Sequence, residues 1–240
     1  MSPQLPEIRE IWVYLSGSPL LALTLTLAAW QLGTLAYERS GRHPLVNPVA
    51  IAVLVVAATI LAIGMPYATY FEGAQFVHFL LGTATVSLAV PIHRGLAALR
   101  GRALPLLAAL LGGGAASIAV ALGAAALLDV DDALRGGLWA KSVTAPIAMG
   151  VAERIGASPT LTAVYAVVTG VLGAALGRFV LDATGCRARW QRGAAIGIAA
   201  HGIGTSRAFD VHPDAGAWAS LAMGLHGVLG AVLIPLAFGR

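Results

Sequence analysis

The sequence predicts an all-α polytopic membrane protein with about seven or eight transmembrane or re-entrant segments, arranged as two inverted repeats with broken helices. The first observation is composition: of 240 residues, 58% are hydrophobic and 11% are charged, whereas soluble domains carry about 25% charged residues. The second is a series of apolar runs, several close to the roughly 20 residues that cross a bilayer. The third is a similarity between the two halves of the chain at a constant offset.

The apolar runs follow a short amphipathic stretch. Over residues 1–18 we expect an N-terminal interfacial segment, because apolar and charged side chains are interspersed there at helical spacing. The segments at 136–152 and 193–206 are short for a crossing, and the glycines at 112–114 interrupt the fourth segment. The apolar segments occupy residues 20–37, 44–65, 74–91, 103–128, 136–152, 158–177, 193–206 and 215–238.

The two halves of the chain resemble each other. Residues 38–49 are similar to residues 153–164, which lie 115 positions later, with Glu, Arg, Gly, Pro and Val coinciding. Identities over so short a stretch could arise by chance, but the same offset also aligns the third and fourth apolar segments of the halves. We therefore expect a single membrane domain, 1–240, whose repeat halves are about 19–128 and 134–240.

Charges in the loops indicate that the halves are inverted. The loop at 38–43 carries two arginines, whereas its counterpart carries Arg154 beside Glu153. The loop near residue 70 has no basic residue, whereas its counterpart has three arginines within 187–192. Because basic residues mark the cytoplasmic side, the halves should have opposite orientations in the membrane. Inverted repeats are typical of secondary transporters, whose sites lie where broken helices meet.

This topology places the acidic loop at 129–132 outside and the loop at 178–192 inside. The segment at 158–177 makes that crossing, so the segment at 136–152 must begin and end outside. Either the segment at 136–152 is re-entrant rather than spanning, or the glycine-rich segment at 103–128 fails to cross. Non-helical backbone at membrane depth is tolerated where it lines a cavity or is buried in protein. In both cases Lys141, the only lysine in the chain, lies at an irregular place.

Three stretches, at 82–91, 141–146 and 200–207, combine polar groups with helix breakers inside apolar sequence. Broken helices expose N–H groups that suit a carboxylate or phosphate, and Lys141 would add a charge that is costly in a membrane. The sequence therefore predicts an anion site. Its candidate substrate-binding residues are Lys141, Ser142, Thr144, Thr83, Thr85, Gly202, Gly204 and Thr205, and its candidate proton-coupling or gating residues are His201 and Arg207.

Each feature also has a simpler interpretation. Lys141 could snorkel from a helix end to the interface, and small or hydroxyl residues often serve close helix packing. His201 could be a hydrogen-bonded core histidine, and for His78 and His226 packing is the favoured role.

The sequence has no intramembrane acid of the kind on which a cation antiporter depends. It also has no Cys/His metal spacing, nucleophile elbow or phosphate-binding loop, so we expect no enzyme activity, metal or cofactor.

Four motifs resemble the LrgB/CidB family, and the resemblance extends from about Pro19 to Pro235. This chain departs from the family pattern at Thr83, where proline is usual, at Ala145, where a second threonine is usual, and at Gly150, where glutamate is frequent. The motifs are residues 81–91 (LGTATVSLAVP), 141–149 (KSVTAPIAM), 161–164 (LTAV) with Thr169 and Gly170, and 197–205 (GIAAHGIGT).

The resemblance implies a multi-pass protein of a bacterial cytoplasmic (inner) membrane, and it implies two kinds of function. Family members in bacteria are described as antiholin-like modulators of murein hydrolase export and autolysis, beside a small LrgA/CidA-type membrane partner. The family is also similar to the C-terminal part of the plastid glycolate/glycerate translocator, and some bacterial members are implicated in pyruvate uptake. Transport of a carboxylate agrees with the anion site argued from the residues.

Together these observations predict a proton-coupled secondary transporter, or its membrane subunit, for a small monocarboxylate such as glycolate, glycerate or pyruvate. Lys141 would pair with the carboxylate, Ser142 and Thr144 would complete its hydrogen bonds, His201 would carry the proton and Arg207 would gate. The alternative is an antiholin-like regulator that acts through oligomerisation with the small partner. The expected partners are a small carboxylate anion, the lipid bilayer, an LrgA/CidA-type membrane protein and further copies of the chain, but not nucleic acid.

Overall fold

The computed structural model describes residues 19–43, 45–95 and 99–238, apart from the side chains at 78, 81, 84 and 85. Over these ranges all regular secondary structure is helical and no strand occurs, which confirms the predicted all-α class. The predicted interfacial segment at 1–18 lies outside the described residues.

Four helices, α1, α5, α8 and α10, are long and apolar enough to cross a membrane, and α2 is a shorter apolar helix. The candidate spans are fewer than the predicted segments, because turns interrupt several of those segments. The helices in chain order are α1 (Pro19–Arg39), α2 (Pro48–Ala62), α3 (Tyr67–Ser87), α4 (Ala89–Gly95), α5 (Ala103–Leu127), α6 (Asp132–Arg135), the 3-10 helix Gly136–Ala140, α7 (Ala145–Ile155), α8 (Pro159–Ala183), α9 (Arg189–Val211) and α10 (Pro213–Ala237).

Local sequence explains where several helices begin and why α5 continues. Asn47 caps α2, since its Oδ1 accepts hydrogen bonds from the first free N–H groups, and Ser158 caps α8 in the same way. The glycines at 112–114 do not break α5, which runs for 25 residues, about 37 Å. This length is enough to cross a bilayer.

The helices form two compact units, one ending at Thr83 and the other beginning at Ala84. In the first unit α1 packs closely on the start of α2, because a Cβ at Gly33 would collide with the carbonyl oxygen of Pro48. This division of the fold differs from the predicted repeat boundary between 128 and 134. The inverted repeat stays a prediction.

In the second unit, residues 136–155 form a helical hairpin, which we call the lysine hairpin. Its arms are the 3-10 helix and α7, joined by the turn at 141–144. The chain returns to where it started, because a Cβ on Gly136 would lie 3.0 Å from the Cβ of Ala157. Helix α7 has 11 residues, about 16 Å, which is too short for a hydrocarbon core of about 30 Å. This shape matches the re-entrant alternative for the segment.

A second hairpin is formed by α9, which is interrupted at His201 with a non-helical φ of 38° and ψ of −130°. A Cβ on Gly204 would lie 2.5 Å from the Cβ of Ala200 and 3.1 Å from the carbonyl oxygen of Ile196. In a straight helix, residues eight apart are separated by about 12 Å along the axis. The chain therefore doubles back at His201, and we call residues 189–211 the histidine hairpin.

The two hairpins open at opposite ends of α8. Near the start of α8, a Cβ on Gly137 of the lysine hairpin would lie 2.9 Å from Thr162 Oγ1. Near its end, a Cβ on Gly177 would collide with Ile196 of the histidine hairpin. Because α8 has 25 residues and is about 37 Å long, the hairpins approach its middle from opposite directions.

The two ends of this unit differ in charge. Where the histidine hairpin opens, arginines dominate, and we call this the arginine end. Where the lysine hairpin opens, carboxylates dominate, and we call this the acidic end. Because basic residues are retained on the cytoplasmic side of a membrane, we expect the arginine end to face the cytoplasm. The arginine end has Arg178, Arg187, Arg189 and Arg192 with Asp182, and the acidic end has Asp129, Asp131, Asp132 and Glu153 with Arg135 and Arg154.

Candidate functional site

Lys141 lies at the tip of the lysine hairpin and is bound by two serine hydroxyls. Its Nζ donates to Ser117 Oγ at 2.7 Å and to Ser142 Oγ at 3.2 Å. The two serine oxygens are themselves 2.7 Å apart. Ser117 comes from the middle of α5, so this cluster connects the hairpin tip to a helix that is long and apolar enough to cross a membrane.

In the part of the chain that the structure describes, the charge of Lys141 has no carboxylate partner. Among the described residues Lys141 forms no salt bridge, and its neighbours are neutral hydroxyls. A lysine near the centre of a membrane helix costs about 2.5–3.5 kcal/mol on insertion scales. Serine oxygens accept hydrogen bonds from the ammonium but do not neutralise its charge.

Lys141 faces a cavity of about 740 Å³. Ser117, from α5, and Thr169, from the middle of α8, line the same cavity, which extends to Ala199 beside the tip of the histidine hairpin. Most of its remaining wall is aliphatic. The lining follows α8 from Thr169, at its middle, to Leu181, near its end.

His201, at the tip of the second hairpin, is buried, with 4% of its surface exposed. Its Nε2 lies 2.7 Å from the carbonyl oxygen of Ala166. A carbonyl only accepts, so Nε2 carries the hydrogen and Nδ1 is the nitrogen left to take up a proton. The ring fits because Gly170 has no side chain: a Cβ there would lie 2.6 Å from the imidazole Cε1.

The other predicted residues of the histidine hairpin serve contacts with neighbouring backbone and side chains. The hydroxyl of Thr205 donates to the sulfur of Met223 at 3.6 Å. Gly204 is buried where the two arms of the hairpin meet, and Gly202 is exposed. None of the three lines the Lys141 cavity, and their role in binding stays a prediction.

Thr144 is close to Lys141 along the chain, and its hydroxyl is an unusual polar group. It precedes α7 but makes no side-chain cap, and its Oγ1 is buried without a hydrogen-bond partner among the described residues. A buried polar group left unpaired costs about 1–3 kcal/mol. A ligand that accepted this hydrogen bond would remove that cost.

The remaining predicted residues lie elsewhere or are outside the description. Thr83 belongs to the first unit, where its hydroxyl donates to the carbonyl of Leu80. The side chain of Thr85 lies outside the described part of the chain. Arg207 does not line the Lys141 cavity; it lines an adjoining pocket at the arginine end, which shares Leu181 and Ile196 with that cavity.

Sequence reasoning missed two polar groups. Ser117 could have been found as the only hydroxyl residue within α5. His226 was assigned to packing, but it lines a second cavity of about 350 Å³ together with Ser142. Its Nδ1 is buried without a partner among the described residues. Ser142 therefore stands between Lys141 on one side and the cavity of His226 on the other.

In the described residues no group of three or more His, Cys, Asp or Glu side chains could hold a metal ion. The polar groups near the hairpin tips are instead a cation, hydroxyls and imidazoles. This donor set suits an anion together with a transferable proton.

Comparison with known proteins adds a family to this geometry. Holin-like protein CidB of Staphylococcus epidermidis is 25% identical over 216 residues, covering 90% of this chain and 94% of that protein. Antiholin-like protein LrgB of Bacillus mycoides is 26% identical over 220 residues, covering 91% and 95%. YwbG of Bacillus subtilis is 30% identical over 210 residues, covering 88% and 93%. No solved structure matches the chain.

The relatives are similar along nearly their whole length, so the similarity is not confined to one motif. The profile of the LrgB-like family matches residues 26–239, a range that contains both hairpins. The chain therefore belongs to the LrgB-like family.

Proposed function

We propose that this protein is a membrane carrier for a small carboxylate anion. The observation that carries the proposal is Lys141: a cation at a hairpin tip, bound by two serine hydroxyls, facing a cavity, with no carboxylate partner among the described residues. A substrate carboxylate would supply the missing negative charge.

The composition of the cavity supports a small organic acid over an inorganic anion. A carboxylate could accept hydrogen bonds from Lys141 Nζ and from the hydroxyls of Ser117 and Thr169, which line the same cavity. The aliphatic remainder of the wall suits a short carbon chain. Glycolate, glycerate and pyruvate combine these two properties.

The arrangement of the hairpins supports transport rather than static binding. In secondary transporters, discontinuous helices from opposite sides meet near the midplane, and the substrate binds at their tips. Here the lysine and histidine hairpins open at opposite ends of α8. His201, whose Nδ1 is free to take up a proton, is placed to couple proton movement to that of the acid.

Uptake into proteoliposomes tests the proposal. Purified protein should accumulate radiolabelled glycolate, glycerate or pyruvate when a proton gradient is imposed. Replacing Lys141 by alanine removes one partner of a desolvated charge pair, which costs at least about 2 kcal/mol, so uptake should fall about 30-fold or more.

The matched control for this variant is Arg39→Ala, which removes an exposed cation from the first unit. The control should transport at the parental rate. If Lys141→Ala also kept the parental rate, Lys141 would have no role in binding and the proposal would fail.

A second function is favoured by the printed names of two relatives, one holin-like and the other antiholin-like. On that basis the chain would regulate murein hydrolase export and autolysis, through oligomerisation with a small membrane partner. A protein that moves none of the acids, but whose loss changes the lysis of its host, would establish this function over the carrier. A small membrane protein that co-purifies with the chain both with and without detergent exchange would be identified as the partner.

A further inference from the structure

The arginine end of the second unit holds a pocket of about 430 Å³ that adjoins the Lys141 cavity, and its arginines have no role in the proposed carrier. It is formed by the end of α8, the loop that follows, and both ends of the histidine hairpin. We call it the arginine pocket. Five arginines line it: Arg178, Arg187, Arg189, Arg192 and Arg207.

The positive charge of this pocket exceeds the negative charge that its ion pairs provide. Asp182 binds two of the arginines, at 2.7 Å to Arg192 Nη1 and at 3.8 Å to Arg178 Nε. Arg187 and Arg189 are exposed and form no ion pair with the described residues. Two guanidinium groups are therefore available to an anion.

One arginine is held rigidly beside this opening. Arg192 Nη1 also donates to the carbonyl oxygen of Cys186 at 2.8 Å, and only 24% of the side chain is exposed. Because Asp182 pairs with its guanidinium, Arg192 orders the edge of the pocket. The charge that attracts an anion comes from Arg187 and Arg189.

The inner wall of the pocket is aliphatic. Ala174 and Leu181 of α8, with Ile196 and Val211 of the histidine hairpin, line it below the arginines. The pocket lies at the end of a membrane-spanning helix, where lipid headgroups meet the acyl chains. A charged rim above an apolar wall fits an amphiphile better than a free ion.

We propose that the arginine pocket binds the headgroup phosphate of an anionic phospholipid, with an acyl chain against the aliphatic wall. Arg187 and Arg189 donate to the phosphate oxygens, since guanidinium groups match phosphate geometry with paired hydrogen bonds. Basic pockets between membrane helices on the cytoplasmic side are a recognised arrangement for anionic lipids. This inference does not depend on which of the two functions the protein has.

The test is lipid retention by the purified full chain. Protein in detergent is titrated with phosphatidylglycerol or phosphatidylcholine, and bound lipid is counted by native mass spectrometry. The wild-type protein should retain one phosphatidylglycerol in preference to phosphatidylcholine. The double variant Arg187→Gln/Arg189→Gln should bind phosphatidylglycerol about 30-fold more weakly.

The double variant Arg39→Gln/Arg42→Gln is the matched control. It removes the same charge from a loop that is predicted to lie on the same face of the membrane, and it should retain phosphatidylglycerol as the wild type does. An equal loss in both double variants would overturn the proposal, because binding would then follow net charge alone. Displacement of the lipid by millimolar inorganic phosphate would also overturn it, since the pocket would then be a site for free phosphate. The thermal melting temperature in phosphatidylcholine confirms that each variant is folded.

Discussion

At the scale of single residues, Lys141 is distinguished by what surrounds it. Within the described ranges its ammonium is bound by Ser117 and Ser142 and not by a carboxylate. An ion pair within the protein would have neutralised this charge and left little attraction for an anion. Hydroxyl partners orient the ammonium and leave its charge available.

The first prediction concerns Ser117. Replacement by alanine removes the shortest hydrogen bond to Lys141 and leaves one ammonium N–H unpaired, which costs about 1–3 kcal/mol. We expect the Km for carboxylate uptake to rise about tenfold or more, because the ammonium is no longer oriented towards the cavity. Ser40→Ala, at an exposed loop serine that donates to Tyr37, is the control. An unchanged Km would show that Ser117 does not position Lys141.

The second prediction concerns Gly170, which makes room for the His201 ring. A Cβ there would lie 2.6 Å from the imidazole Cε1, so Gly170→Ala should displace the ring and destabilise the protein by about 1–3 kcal/mol. The melting temperature in detergent measures this loss.

Gly150→Ala is the control for Gly170, because Gly150 is also helical but has nothing within 4 Å of an added Cβ. Replacing this helical glycine by alanine should leave the protein's free energy of unfolding unchanged or raise it by up to about 1 kcal/mol. If both variants melted at the wild-type temperature, the close packing of His201 against Gly170 would be wrong.

At the scale of elements, two helical hairpins decide the character of the site. Each hairpin brings a polar tip to the middle of α8. A straight helix in its place would have continued past this point. The turn of the histidine hairpin places a non-glycine residue at φ 38°, a backbone conformation that costs of order 1–3 kcal/mol. The hydrogen bond from His201 to Ala166 offsets part of this cost.

The third prediction tests the histidine hairpin. In a Cys186→Ser background, single cysteines replace Arg189 or Val211, at the two ends of α9. Because the helix doubles back, a membrane-impermeant maleimide should label both positions from the same side of the membrane. A straight α9 of 23 residues, about 34 Å long, would place the two cysteines on opposite sides, and labelling from opposite sides would exclude the hairpin.

At the scale of the whole molecule, the separation of charge within the second unit specifies an orientation. Arginines gather where the histidine hairpin opens, and carboxylates gather where the lysine hairpin opens. Basic loops are retained in the cytoplasm during insertion. The lysine hairpin should therefore open to the outside.

The fourth prediction tests this orientation. In the same cysteine-free background, Asp131→Cys should react with an impermeant maleimide added to intact cells. Arg189→Cys should react only after the membrane is opened. The reverse pattern would show that the second unit is inserted the other way round, with the lysine hairpin open to the cytoplasm.

Much of the fold could be predicted from the sequence, because a bilayer imposes strict rules on composition. The all-α class and the helices around α5 and α8 follow from apolar runs of sufficient length. The irregularity near Lys141 followed from loop charge, since the chain had to return to the side it had left. The family followed from motifs that span both hairpins, and the profile match over 26–239 agrees with it.

The sequence alone determined that Lys141 and His201 lie in broken apolar segments, because a charge or an imidazole there is costly and visible in the pattern. Only the tertiary structure decided their partners. Ser117 approaches Lys141 from a helix 24 residues earlier in the chain, and the Gly170 gap that admits His201 is recognisable only once α8 and α9 are packed. Periodicity reports which face of a helix is apolar, but not which neighbour covers it. Arg207 is close to His201 in sequence but lies in the arginine pocket, because the chain turns back between them.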